Sequence, residues 1–201
     1  MQSIPTTRAA GPSRLSEERR CIIFAMVREV LMDVGFEALT MDVVSAKART
    51  SKATLYRRWQ HKTQLVAAAL EHSERIPIDT VDTGTLAGDL DEVAVRAGED
   101  GGQTARLLSS VTHAIRDDSH LAEALRRHVV EGHLDALRLL LHRAVERGEV
   151  SRDCPAIAHF PQTVLGAMLS QRTVTGADPD TTHLRAYFRA IVLPSLDYRP
   201  H

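Results

Sequence analysis

The sequence predicts an all-α protein of about nine helices, with a small helix-turn-helix domain in front of a larger helical domain. Three observations carry the prediction. No segment sustains the period-2 alternation of a half-buried strand. Apolar residues recur instead at helical spacing, segment after segment. Residues 1–62 hold 11 Lys+Arg against 6 Asp+Glu while residues 63–201 hold 14 against 20, so a basic head precedes an acidic body. At 201 residues and 43% hydrophobic, the chain has ample apolar surface for a core.

The first helix begins at Ser16, an N-cap followed by Glu17 and Glu18, acids that suit the positive end of a helix dipole. Its apolar stripe is Ile23, Met26, Val27, Val30, Leu31 and Val34, and Gly35 fits the position just past its end. A short helix over 41–47 is capped by Thr40, and another runs from Ser51 to about Arg58. "KTQLVAAALEHSER" gives a fourth, and "IPIDTVDTG" (76–84) leads out of it. Helices follow near 85–99, 103–116, 119–147, 156–175 and 181–196, separated by Gly-, Asp- and Pro-rich breaks. The longest carries the stripe Val130, Leu134, Leu137, Leu141, Val145, and Pro161 implies that the next is kinked or starts late. Domains are therefore expected at 1–15 (a disordered arm), 16–75 (helix-turn-helix) and 76–201 (helical body).

Several function classes fall away. No apolar run approaches the roughly 18 residues of a membrane span. The first residues hold no signal-like stretch, so the chain is expected in the cytoplasm and away from membranes. Cys21 and Cys154 match no zinc or CxxC spacing, and neither metal nor cofactor is expected. Cys154 with His159 gives the one imaginable nucleophile and base, with nothing nearby to complete a triad. His128 and His133 do not share a helix face well.

The informative stretch is "TMDVVSAKARTSKATLYRRWQHK". Within 40–62 lie six basic residues, including all three lysines of the chain, and one acid, Asp42. Such a block on a protein of net charge −1 points to a local polyanion site or to a solvated face. Thr40 and Ser51 cap two short helices joined by a tight turn near Ala48–Thr50, the helix-turn-helix arrangement. Val43, Val44 and Ala48 on the first helix meet Leu55 on the second, and Leu55 and Trp59 face inward at i and i+4. Lys52, Ala53, Thr54, Arg57 and Arg58 are left toward solvent or ligand.

These residues resemble the TetR family of one-component transcriptional regulators. Thr40, Ala48-Arg49, Ser51-Lys52-Ala53-Thr54-Leu55-Tyr56, Trp59 and Lys62 follow that family's motif, over about 20–70 of the chain. Two positions depart from it: Arg49 and Ala53 stand where the family has glycine. The resemblance implies that Thr40 caps its helix and bonds a phosphate, that Tyr56 offers its hydroxyl to the DNA backbone, and that Lys62 reaches a phosphate. Lys52 and Thr54 would lie at the groove-facing end of the second helix. Arg49 would add a phosphate or guanine contact at the cost of a left-handed backbone, and the Ala53 methyl would meet a thymine methyl. Ser51, Arg57 and His61 complete the candidate DNA-binding set. Trp59 is assigned to packing.

For the acidic part the resemblance implies a small-molecule effector pocket and a homodimer through the last two helices. Val164, Leu165, Met168 and Leu169, with Leu184, Tyr187, Phe188 and Ile191, supply either that seam or an intramolecular core. Gly166 and Ser170, four apart, would allow close helix approach, and Arg96, His113 and His133 are candidates to line a cavity. The expected function is a sequence-specific DNA-binding regulator, a repressor released from a palindromic operator by a small molecule. The alternative is a DNA-bound adaptor controlled by a protein partner. An enclosed apolar cavity would favour the first.

Overall fold

The computed structural model describes residues 16–197, so the expected arm 1–15 and the last four residues lie outside the described chain. Among the described residues there are eleven α-helical segments, and two pairs of them are fused end to end through π-helical turns, leaving nine rods. They are α1 (Glu17–Ala38), α2 (Met41–Lys47), α3 (Lys52–Arg58), α4 (Lys62–Glu71), α5 (Leu86–Glu99), α6 (Gln103–Val111), α7 (Ser119–Leu125), α8 (Gly132–Glu146), α9 (Phe160–Thr175), α10 (Thr181–Tyr187) and α11 (Leu193–Ser195). The π turns are Arg126–Glu131, which makes α7 and α8 one rod, and Phe188–Val192, which does the same for α10 and α11. Among the described residues none is long and apolar enough to cross a membrane.

The caps read in the sequence form. Ser16 Oγ accepts from the Arg19 N–H, Thr40 Oγ1 from Val43 and Ser51 Oγ from Thr54. Gly35 sits at φ 78°, a left-handed conformation that a side chain opposes, and it breaks the helical run of α1 before Phe36. Val34 is 54% exposed rather than part of the stripe, because burial passes across that break to Phe36 and Leu39. The 156–175 segment starts late: a 3-10 turn over Pro155–His159 precedes α9, and Pro161 occupies its first turn, where a missing N–H costs nothing.

Two apolar cores result. One joins α1–α4 to Leu107 and Val111 of α6 and to Leu121, Leu125 and Val129 of the long rod. The other joins α5, α8, α9 and the last rod around Leu90, Leu137, Val164 and Phe188, and takes in Ile76, Ile78 and Val81 of the leading-out segment. The head's core thus continues past residue 75 into α6 and α7.

His133, 2% exposed, sits at the junction of the long rod and ties the two cores. Its Nε2 accepts from the Ile76 N–H (3.3 Å), so the ring proton is on Nδ1, which donates to the Val129 carbonyl (2.6 Å). Burial pushes the imidazole pKa down, the Arg75 charge adds to that, and the Val129 carbonyl and Asp100 oppose it. A folded pKa below the unfolded value makes this contribution complete above about pH 6.5 and lost as pH falls further. We expect the melting temperature to drop between pH 7 and pH 5, and His133→Gln to flatten that drop. An equal drop in both proteins would assign it to other groups.

Candidate nucleic-acid interface

The α2–turn–α3 unit is built on a small apolar seam. Val44, Ala48 and Leu55 are buried against one another and Trp59 is 7% exposed, its ring edge-on to Phe24 at 5.5 Å. Val43 does not join the seam; it is 42% exposed, one position off the face that Val44 and Ala48 share at i, i+4 spacing. The turn closes α2 through Ala48 N–H to the Val44 carbonyl (2.8 Å) and Thr50 N–H to the Ser45 carbonyl (2.9 Å). Arg49 lies at φ 48°, so the chain does adopt the left-handed conformation with a non-glycine residue.

The seam leaves the opposite face outward. Thr40, Arg49, Ser51, Lys52, Ala53, Tyr56, Arg57 and His61 are exposed, while Thr54 and Lys62 are half-buried. Ser51 and Thr54 are joined by their hydroxyls at 2.8 Å. Tyr56 is 50% exposed.

The lysines of this face are already engaged. Lys47 pairs with Glu29 (2.7 Å) and Asp33 (3.2 Å), and the hydrogen bond to Glu29 leads the causes that hold its pKa up. Lys52 pairs with Asp42 at 2.7 Å. Lys62 Nζ donates to the carbonyls of Phe36 (3.0 Å) and Glu37 (3.3 Å) and sits 4.3 Å from the Phe36 ring centroid. It therefore clips the start of α4 to the end of α1, a role invisible to motif reading because Phe36 lies 26 residues away. Arg49, Arg57 and Arg58 make no ion pair among the described residues.

Asp42, the one acid of the 40–62 block, is thus the partner of Lys52. The Asp42–Lys52 pair is exposed and worth at most about 1 kcal/mol, which a phosphate can displace. Asp42→Asn is expected to release Lys52, remove a charge that repels phosphate, and tighten duplex binding by about fivefold at low salt. Unchanged affinity at low salt would show that Asp42 does not mask the lysine.

Comparison with known proteins fits this geometry. Residues 23–69 match the family described as bacterial regulatory proteins, tetR family, and residues 80–191 match the tetracyclin repressor-like, C-terminal domain. The chain belongs to the TetR family. An uncharacterised HTH-type transcriptional regulator of Mycobacterium bovis is 32% identical over 190 residues, 94% of this chain and 93% of its own. A protein of Mycobacteroides abscessus named DNA-binding transcriptional repressor TetR is 32% identical over 166 residues, 82% of this chain and 86% of its own. The fold recurs in a TetR transcription regulator from Haloarcula marismortui (TM-score 0.70, 16% identity, 90% of this chain and 98% of that one). TetR-family proteins are DNA-binding transcription factors, not enzymes.

In this TetR-family chain the body departs from its simplest sequence reading. Val164, Leu165, Met168, Leu184 and Phe188 belong to the protein's own core, so they are closed to a partner. Leu169 and Tyr187 are partly buried against the same core. The outward face of α9 and the last rod carries instead Gly166, Ser170, Val174 (79% exposed), Ala186, Ala190 and Ile191 (49%). A Cβ added at Gly166 would meet nothing within 4 Å. Arg96, His113 and His133 do not converge. Arg96 is tied to Glu92, Pro77 and Thr80, His113 is exposed, and His133 is sealed inside. His159 is likewise exposed, while the Cys154 thiol donates to the Ser195 carbonyl at 3.8 Å.

Three hollows share Asp100 on their walls. One of about 390 Å³ opens between Arg75 and Arg96, and one of about 310 Å³ between Arg28 and Gln103. A crevice of about 10 Å³ runs from Asp100 to Met168 and Leu169, with Ile76, Ala97, Ala105 and Pro179 on its walls. That is roughly the space of one water molecule.

Proposed function

We propose that the protein is a dimeric transcriptional repressor that binds a palindromic operator in the cytoplasm and is released by a small-molecule effector. The observation that carries the DNA-binding part is the outward face of α2–α3, where Arg49, Arg57 and Arg58 make no ion pair among the described residues and flank the exposed Tyr56. Arginines without internal partners neutralise phosphates and release counterions. Thr40, Tyr56, His61 and Lys62 then set register on the backbone. Lys52, Ala53 and Thr54, behind the Ser51 cap, approach base edges. One such helix contacts few base pairs, so a dyad-related pair is needed for tight binding. The outward Gly166, Ser170, Ala186 and Ala190, flanked by Val174 and Ile191, suit close packing of the last two helices against a second copy. The relative named as a repressor supports the sign of regulation.

The effector reading rests on the hollows that share Asp100, between the two cores. A ligand entering there must part α6 from α9, and α6 packs on α1 of the head. Differential affinity for the opened arrangement would couple effector to DNA. The narrowness of the crevice favours the second reading, a protein partner in place of a small molecule.

The test is fluorescence anisotropy with duplex from upstream of the protein's own gene, across a salt series. Arg57→Ala should weaken binding about tenfold and lower the salt slope by about one, and Tyr56→Phe should weaken it less. Weak, unselective binding that neither variant alters would overturn the operator reading.

A further inference from the structure

We infer that Arg19, in the first turn of α1, is a positioning residue for DNA recognition: it fixes the helix-turn-helix turn that carries Arg49 and starts α3. One terminal guanidinium nitrogen of Arg19 donates to two successive carbonyls, Ala48 and Arg49, at 2.6 Å each. The two partners lie 29 and 30 residues along the chain. The turn's own backbone bonds run back into α2, from Ala48 to Val44 and from Thr50 to Ser45, so they close the helix without holding these two carbonyls. A cation here also faces the negative end of α2.

The clamp sits where the chain needs it. Arg49 is left-handed at φ 48°, a conformation that its Cβ disfavours and glycine would accept freely. Nothing in its own side chain compensates, because no ion pair is made by Arg49 among the described residues. Arg19 compensates from outside. Its backbone is itself fixed, since its N–H donates to the Ser16 cap (3.2 Å), and the neighbouring Arg20 takes up Glu17, leaving Arg19 for the carbonyls. The first turn of α1 and the start of α3 are thereby held as one piece. A contact group on α3 has to be held to a fraction of an ångström to discriminate between bases, and a turn that relaxed would carry Arg49, Ser51 and Lys52 with it. Both bonds come from one nitrogen, so a lysine ammonium can supply them in part, but on a shorter and less pre-organised side chain.

The proposal rests on the DNA-binding reading above, and the experiment separates the two. Arg19→Ala, Arg19→Lys, Arg49→Gly and the double variant Arg19→Ala/Arg49→Gly are compared for melting temperature and for anisotropy binding. The duplexes are the upstream DNA of the protein's own gene and an unrelated sequence, over a salt series. Arg19→Ala should weaken selective binding about tenfold, leaving the salt slope and the unrelated duplex unchanged, with Arg19→Lys intermediate. With glycine at 49 the clamp is less needed, so the same Arg19→Ala change should cost clearly less in both affinity and melting temperature. Two results would overturn the inference. A salt slope lower by about one, with equal losses on both duplexes, would make Arg19 a direct phosphate contact. Strictly additive losses in the double variant would detach Arg19 from the left-handed turn. If the parent selects no duplex, the operator reading fails. The melting temperatures of the four variants still decide the clamp.

Discussion

Trp59→Ala is expected to destabilise the protein by about 3–5 kcal/mol and to abolish duplex binding. Trp59 ends α3, its backbone N–H donating to the Leu55 carbonyl at 2.8 Å, and the residue is buried between the reading helix and α1. The edge-to-face contact with Phe24 adds to simple burial. Removing the indole leaves a cavity bounded by Phe24 and Leu55, whose neighbours cannot all collapse without tilting α3. Because that core runs on into α6 and α7, the loss should appear as an earlier global urea transition rather than as local fraying of the head. Trp59→Phe keeps the edge-on partner and should recover most of the stability. A loss below about 1 kcal/mol for Trp59→Ala would mean that α3 is held by its caps and the turn, with the tryptophan incidental.

The parts legible in the sequence were those fixed by local chemistry. Thr40 and Ser51 announced their helices because a short hydroxyl side chain satisfies a nearby N–H whatever the rest of the fold does. Arg49 announced its left-handed turn only through the family resemblance, because it stands where that motif has glycine. What stayed illegible was long-range. Helical periodicity marks the apolar face of α9 and of the last rod, but not whether Phe188 and Met168 meet their own chain or a second copy, and they meet their own. Charge counting placed the lysines at the interface without showing that Glu29, Asp33 and Asp42 answer two of them. Arg19 gave no signal, since its partners are backbone carbonyls that every residue possesses. The shared core through α6 and α7 was equally hidden, because amphipathicity names the buried face and not the neighbour that buries it.

The same contrast gives the second large effect, in the body. Glu149→Ala is expected to lower stability by about 3–5 kcal/mol, as removal of one partner from a buried ionic cluster does. Glu149 is 3% exposed and Asp89 fully buried. Glu149 Oε2 accepts from the Leu86 N–H at the start of α5 (2.7 Å), and Oε1 accepts from Arg147 Nε. Asp89 takes the Thr83 N–H (2.7 Å) and hydroxyl (2.9 Å) and lies 3.6 Å from the Arg147 guanidinium. The cluster thus joins the turn after α8 to the start of α5. Without Glu149 the Leu86 N–H loses its acceptor, and the half-buried Arg147 loses a short charge-assisted hydrogen bond. Glu149→Gln retains an acceptor for Leu86 and should lose roughly half as much, so the pair of variants separates hydrogen bonding from charge. Both should weaken duplex binding only through the folded fraction, leaving the salt slope of the remaining protein untouched, because the cluster lies in the body and not on the α2–α3 face. An altered slope in fully folded Glu149→Gln would instead mean that the body's ionic frame sets how the reading heads meet DNA.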